Sequence, residues 1–183
     1  MAIDLKFTYN QYLSNFDGKV AMMTTSYDKL DVFYVKFDIK QLPHLLGLHK
    51  IYNRKPQELC KDLRTGDICY ENIQRHHNFG QIKDRITLFP FILDIFLEDY
   101  NKSVIYLSDG DKNGSSMNLD IAFAHPYKNK YLNLGLRENT SSVYAPVNFF
   151  VNKKKKSLPF PGSKRARVET IEIIETNSQQ LLF

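Results

Sequence analysis

The chain has 183 residues, of which 43% are hydrophobic and 13% aromatic, enough for a buried core in one domain and too apolar for a wholly disordered chain. No run approaches the roughly 20 apolar residues of a membrane-spanning helix, and the opening MAIDLKFTYN has no apolar leader core. The net charge is +5, and the two cysteines, Cys60 and Cys69, cannot by themselves form a disulfide framework or a four-ligand zinc site, so the expectation is a soluble, cytoplasmic protein with no membrane partner.

Met1 to Phe16 reads as a short helix with Ile3, Leu5 and Phe7 inward, although its alternation is ambiguous. Lys19–Thr25 and Leu30–Phe37 read as strands, the second rich in β-branched and aromatic residues, around a turn at Ser26 to Lys29. Pro43 opens a helix-like run, PHLLGLHKI, interrupted by Gly47. Pro56 suits the first turn of a helix over Gln57–Leu63, stopped at Thr65-Gly66, and Asp67 suits the cap of another reaching towards Asn78. From Gln81 to Leu97 apolar residues recur every three or four positions, with Pro90 set to kink or divide the helix.

After Tyr100 the period changes. Lys102–Leu107, Met117–Ala124, Lys130–Leu136 and Val143–Val151 have strand composition, joined by Ser-Asp-Gly, His-Pro and Glu-Asn-Thr-Ser-Ser links. Arg167–Glu175 alternates like one more strand. The predicted class is α+β, with N-terminal strands and helices followed by a mostly antiparallel sheet. The predicted division is a domain over 1–151, a basic linker or loop over 152–167 and a C-terminal strand or tail over 168–183. Leu181 to Phe183 is expected either to dock or to be free.

Charge is concentrated. Seven of the 25 basic residues and none of the 20 acidic ones lie between Lys153 and Arg167, so the rest of the chain is slightly acidic. Lys153, Lys154, Lys155 and Lys156 could contact phosphates, serve as an import-like signal or form a solvated loop.

The chemistry-bearing passage is FDIKQLPHLLGLHKI, with His44 and His49 on either side of Gly47, and Lys50 beside them. Five residues is an awkward spacing for one helical face, but a glycine turn relaxes it. Two imidazoles suit proton transfer to and from a ribose 2′-hydroxyl and a leaving 5′-oxygen, and a lysine suits the developing phosphorane charge. The plainer alternative is that Leu45, Leu46 and Leu48 form a core face that the histidines merely flank. His76-His77 suits a helix end, and His125-Pro126 suits a turn. No HExxH or paired Cys/His spacing supports a metal, and the eight glycines never form a phosphate-binding loop. The expectation is therefore no metal and no cofactor.

HLLGLHK, preceded by an aromatic strand and Phe37, resembles the phage-associated nuclease-like families grouped with barnase, EndoU, colicin ribonucleases and RelE, most of all their fourth phage family. The likeness extends to IKDRITLFPFILDIF, YLNLGL and YAPVNFF, so it covers roughly residues 20–151. It implies N-terminal helices followed by an antiparallel sheet, and metal-independent cleavage of RNA by transesterification. It also implies that His44 and His49 are the acid/base pair, with Lys50 and Arg85 as cationic partners. A serine or threonine on a late strand often holds phosphate in such proteins. Here that strand carries Asn148, with Thr140, Ser141 and Ser142 just before it, which leaves the phosphate-holding residue open among them. RNA is the expected partner, and an inhibitor protein is left open. The alternative is a catalytically inactive nucleic-acid- or protein-binding member of the same fold, or a phage regulatory protein.

Overall fold

The computed structural model describes residues 3–98, 102–113, 117–153 and 159–176. Lys154, Lys155, Lys156 and the run Leu181 to Phe183 lie outside the described residues.

Asp4 caps the first helix, α1 (Leu5–Phe16), by accepting the Phe7 N–H at 3.0 Å. Leu5, Tyr9, Tyr12 and Phe16 are buried at spacings of one and two helical turns. Phe7 is 61% exposed, against the expectation that it points inward. Two residues past Leu5 on a 3.6-residue helix is the opposite face. Strands β1 (Lys19–Thr25) and β2 (Val32–Lys36) follow and pair antiparallel.

The middle of the chain is helical in short pieces: α2 (Leu42–Leu45), α3 (Pro56–Thr65), α4 (Tyr70–Ile73), α5 (Lys83–Thr87) and α6 (Pro90–Leu97). Gly66, at φ +90°, ends α3 by donating its N–H to the Asp62 carbonyl. Asp67 does not cap α4. Its carboxylate accepts from the Thr65 hydroxyl at 2.6 Å, and Cys69 stands at the cap position of a helix that ends at Ile73, short of Asn78. Pro90 begins α6 and so divides the long expected helix, because proline cannot donate to the preceding turn.

The remaining elements are β3 (Ser103–Tyr106), α7 (Asp109–Asn113), β4 (Ile121–Tyr127), β5 (Lys130–Thr140), β6 (Val143–Lys153) and β7 (Lys164–Glu175). His125-Pro126 is not a turn but lies inside β4, opposite Leu132 and Tyr131 of β5. The β3–β4 pairing runs only to Phe123, so the N–H that Pro126 lacks is not needed on that side.

The sheet differs from an ordinary open one. Its order, β1-β2-β6-β5-β4-β3-β7, returns to β1 and closes a seven-stranded barrel. Among the described residues six neighbour pairings are antiparallel, and β2–β6 alone is parallel, at Tyr34↔Val143 and Val35↔Tyr144. Closure comes from β7, which pairs with β1 along one edge and with β3 along the other. Lys164, Arg165 and Arg167 are therefore strand residues rather than part of a linker.

One main core joins the helices to the barrel strands. Phe16, Phe37 and Phe96 meet at its centre, with centroids 4.7 Å apart for Phe16–Phe37 and 4.9 Å for Phe37–Phe96. A smaller cluster, including Ile105, Leu119 and Phe150, is separate from it. Among the described residues no helix is long and apolar enough to cross a membrane.

Candidate active site

The local fold of the HLLGLHK run follows from its glycine. Gly47 takes φ +80°, the left-handed conformation that ends α2 after Leu46, and its N–H donates to the His44 carbonyl at 2.9 Å. A single 3-10 turn, Leu48–Lys50, then folds the chain back, with the Lys50 N–H on the Gly47 carbonyl at 3.0 Å. Leu45, Leu46 and Leu48 are fully buried. The leucines anchor the turn in the core, and the histidines stand on its exposed side.

The reversal brings the two imidazoles face to face. Their centroids are 4.2 Å apart and their planes 12° from parallel. Arg85 of α5 packs against this turn. Its Nη1 is 3.5 Å from the His44 carbonyl, and its Cδ would lie 3.0 Å from a Cβ at Gly47. The neighbouring Asp84 is held by Lys130 of β5 at 2.7 Å, which ties α5 to the sheet. Asn78 supports the turn from below, donating through Nδ2 to the Lys50 carbonyl at 3.1 Å.

Electrostatics at this point are one-sided. Burial first, then Arg85, Arg137 and Lys50, push His44 below its ordinary pKa. Burial, then His44, Arg85 and Lys50, bring His49 down to about 4. Lys50 is lowered by burial and by Arg85, and Arg85 by its own burial. Near neutral pH both rings are uncharged, beside cations, in a place suited to an anion. Two stacked rings at this distance cannot readily both be protonated, so they titrate as one coupled unit.

His44, His49, Lys50 and Arg85 therefore come together. Ser141 and Ser142 form the turn between β5 and β6, and the hydrogen bonds of Ser142 run to Tyr34 and Glu138 rather than to the histidine pair. Lys153 ends β6 opposite Lys130. Asn148 sits opposite Gly135 with its Nδ2 3.2 Å from the Met117 sulfur, and its Oδ1 is buried with no hydrogen-bond partner among the described residues. His76 and His77 stack on each other in the turn after α4, where the His76 Nδ1 accepts from the Asn78 N–H at 3.1 Å.

Two contributors are not legible as such in the sequence. Arg137 is the lone cation in LNLGLRENT, and its guanidinium is fixed by the carbonyls of Asn118 at 2.9 Å and Met117 at 3.2 Å. Asn78, in the loop HHNFG, carries only a generic turn signal. Among the described residues no three histidine, cysteine, aspartate or glutamate side chains group to hold a metal ion.

Residues 5–177, which contain all of these groups, match the family described as phage-Barnase-EndoU-ColicinE5/D-RelE like nuclease 4. The chain belongs to this family. No curated protein and no solved structure matches it. For a member of this phage-type nuclease family the substrate is nucleic acid, and a paired-histidine turn with Lys50, Arg85 and Arg137 around it has the charge to receive a phosphate. The match also takes in β7, the strand that completes the barrel.

Proposed function

We propose that this chain is a metal-independent endoribonuclease that cleaves RNA by transesterification. One imidazole of the His44–His49 pair takes the proton of a ribose 2′-hydroxyl. The 2′-oxygen forms a bond to phosphorus as the bond from phosphorus to the 5′-oxygen breaks. The other imidazole, protonated, gives its proton to that leaving oxygen. The products are a 2′,3′-cyclic phosphate and a free 5′-hydroxyl. Lys50 and Arg85 stabilise the charge on the phosphorane, and Arg137 adds positive charge felt at His44.

The observation that carries this reading is the face-to-face pair at 4.2 Å, acted on by cations. Neutral imidazole is the form a general base needs. A bound phosphodiester brings the negative charge that allows the second ring to hold a proton. The same cations oppose a divalent metal at this place, because like charges repel. Lys153, Lys154, Lys155 and Lys156, with the turn residues Ser141 and Ser142, are assigned to the RNA backbone outside the reacting phosphate.

Product mapping on total RNA in excess EDTA tests this. Cyclic phosphate ends are expected, together with resistance of a substrate carrying a 2′-deoxy sugar at the scissile position. Cleavage that stops with EDTA and returns with a divalent metal would overturn the mechanism. Tight RNA binding with no cleavage would favour an inactive nucleic-acid-binding member.

A further inference from the structure

A pocket of about 690 Å³ opens between α6 and the β4–β5 hairpin, and its lining contains none of the proposed catalytic residues. That size lies within the range of small-ligand sites. One side is acidic: Asp94 and Glu98, four residues apart, share one face at the C-terminal end of α6. The other is aromatic, with the rings of Phe91 and His125 5.8 Å apart and tilted by 32°, and Tyr127 39% exposed at the edge. Leu88 adds apolar surface.

The two carboxylates stand where a helix terminus is already negative, an arrangement unfavourable to the helix. Lys102 answers the terminus itself, donating to the Glu98 carbonyl oxygen. Partial burial, and after it the Glu98 charge, still hold the Asp94 carboxyl above its ordinary range, against the opposing effects of His125 and Lys102. Negative charge is thus retained at a local cost beside flat rings. Such a wall repels a phosphate backbone, which separates this pocket from the RNA site.

We propose that this pocket binds a guanidinium group carried on an apolar stem, with Asp94 and Glu98 as its anionic partners and the exposed rings of His125 and Tyr127 as the surface on which it lies. A guanidinium is planar and delocalised, stacks on aromatic faces and donates in a fork that two carboxylates can share. An ammonium of the same charge is a compact, strongly hydrated point that makes less use of the ring wall. The group could be free in solution or belong to an arginine presented by a partner protein, and the chemistry of recognition is the same.

The test is calorimetric titration of the intact chain at low salt with N-butylguanidine, with a capped Gly-Arg-Gly peptide and with n-butylamine. Saturable binding of at least one guanidinium probe is expected, weakened about tenfold or more in Asp94→Asn and Glu98→Gln through loss of charge-assisted hydrogen bonds. Binding of butylguanidine alone assigns the site to a free small cation, whereas peptide binding at least as tight assigns it to a partner's arginine. The result that overturns the proposal is no saturable binding of either guanidinium probe, or equal binding by wild type and both variants. Butylamine binding as well as butylguanidine overturns the guanidinium assignment. If Asp94→Asn melts below wild type, Glu98→Gln carries the comparison, because Glu98 lies exposed at the helix cap. RNA cleavage does not enter the readout, so the result is independent of the endoribonuclease reading.

Discussion

Gly47 and Arg85 are packed so closely that a methyl group on the glycine would come within 3.0 Å of the Arg85 Cδ, and within 2.8 Å of the Ile82 Cγ2. The glycine at φ +80° thus meets two demands: it turns the chain so that His49 faces His44, and it leaves room for the arginine beside them. The geometry of this turn depends on that residue having no side chain.

Gly47→Ala should therefore lower both stability and activity. A left-handed φ costs a non-glycine residue about 1–2 kcal/mol, and overpacking against Ile82 and Arg85 adds about 1–3 kcal/mol. A thermal melt reads the first effect. A cleavage assay well below the melting temperature, where the variant is folded, reads displacement of Arg85 and His49. Wild-type stability would show that the turn relaxes freely.

Removing either histidine tests the proposed acid/base pair. His44→Ala and His49→Ala should each lower the cleavage rate by about 100-fold or more, and the double variant should lose less than the product of the two because the rings act as a unit. His77→Ala, in the exposed turn after α4, should cleave as wild type does. Circular dichroism melts must accompany each rate, and full activity of either single variant would remove that histidine from the mechanism.

The proposed mechanism takes its pH dependence from the depressed histidine pKa values. With His49 down at about 4 and His44 below its ordinary 6.5, the form with one neutral and one protonated ring is most populated in the free protein between those values. The pH profile of kcat/KM should peak in that acidic window. A bound phosphodiester raises both values, so the peak of kcat should sit at higher pH. A kcat/KM profile still rising above pH 8 would contradict the assignment.

The same shifts bear on stability. Both histidines bind a proton more weakly when folded, so below pH 6.5 the unfolded chain holds more protons than the folded one. Their contribution is complete above pH 6.5 and is lost as pH falls; the His49 part is gone once pH drops through about 4. Melting temperature measured from pH 7 to pH 4 should fall more gently for His49→Gln than for wild type. Identical slopes would mean that His49 titrates as a free imidazole.

The lysine run predicts salt dependence. Each neutralised phosphate on a single strand contributes about 0.7 to the slope of log affinity against log salt. Replacing Lys153 to Lys156 with serine in a His44→Ala background should flatten that slope by up to about 3 units, with turnover at saturating RNA nearly unchanged in the active protein. An unchanged slope would leave the lysines as a solvated segment or an address signal.

Residues close in the chain announced much of this protein. The strand Lys19–Thr25, the stop at Gly66, the break at Pro90 and the grouping of His44 with His49 all rest on local chemistry: β-propensity, left-handed glycine, the missing proline N–H and a turn that relaxes a five-residue spacing. Two things could not be read locally. Barrel closure needs β7 to pair with β1 and β3, strands far away in sequence, and an alternating pattern says which face of a strand is buried but not which strand lies beside it. Likewise, only the folded chain brings Arg137 to act on His44 and Asn78 to the Lys50 carbonyl. Burial first, and then charges from a helix, a turn and a strand, hold both imidazoles neutral, and packing alone decides that these groups meet.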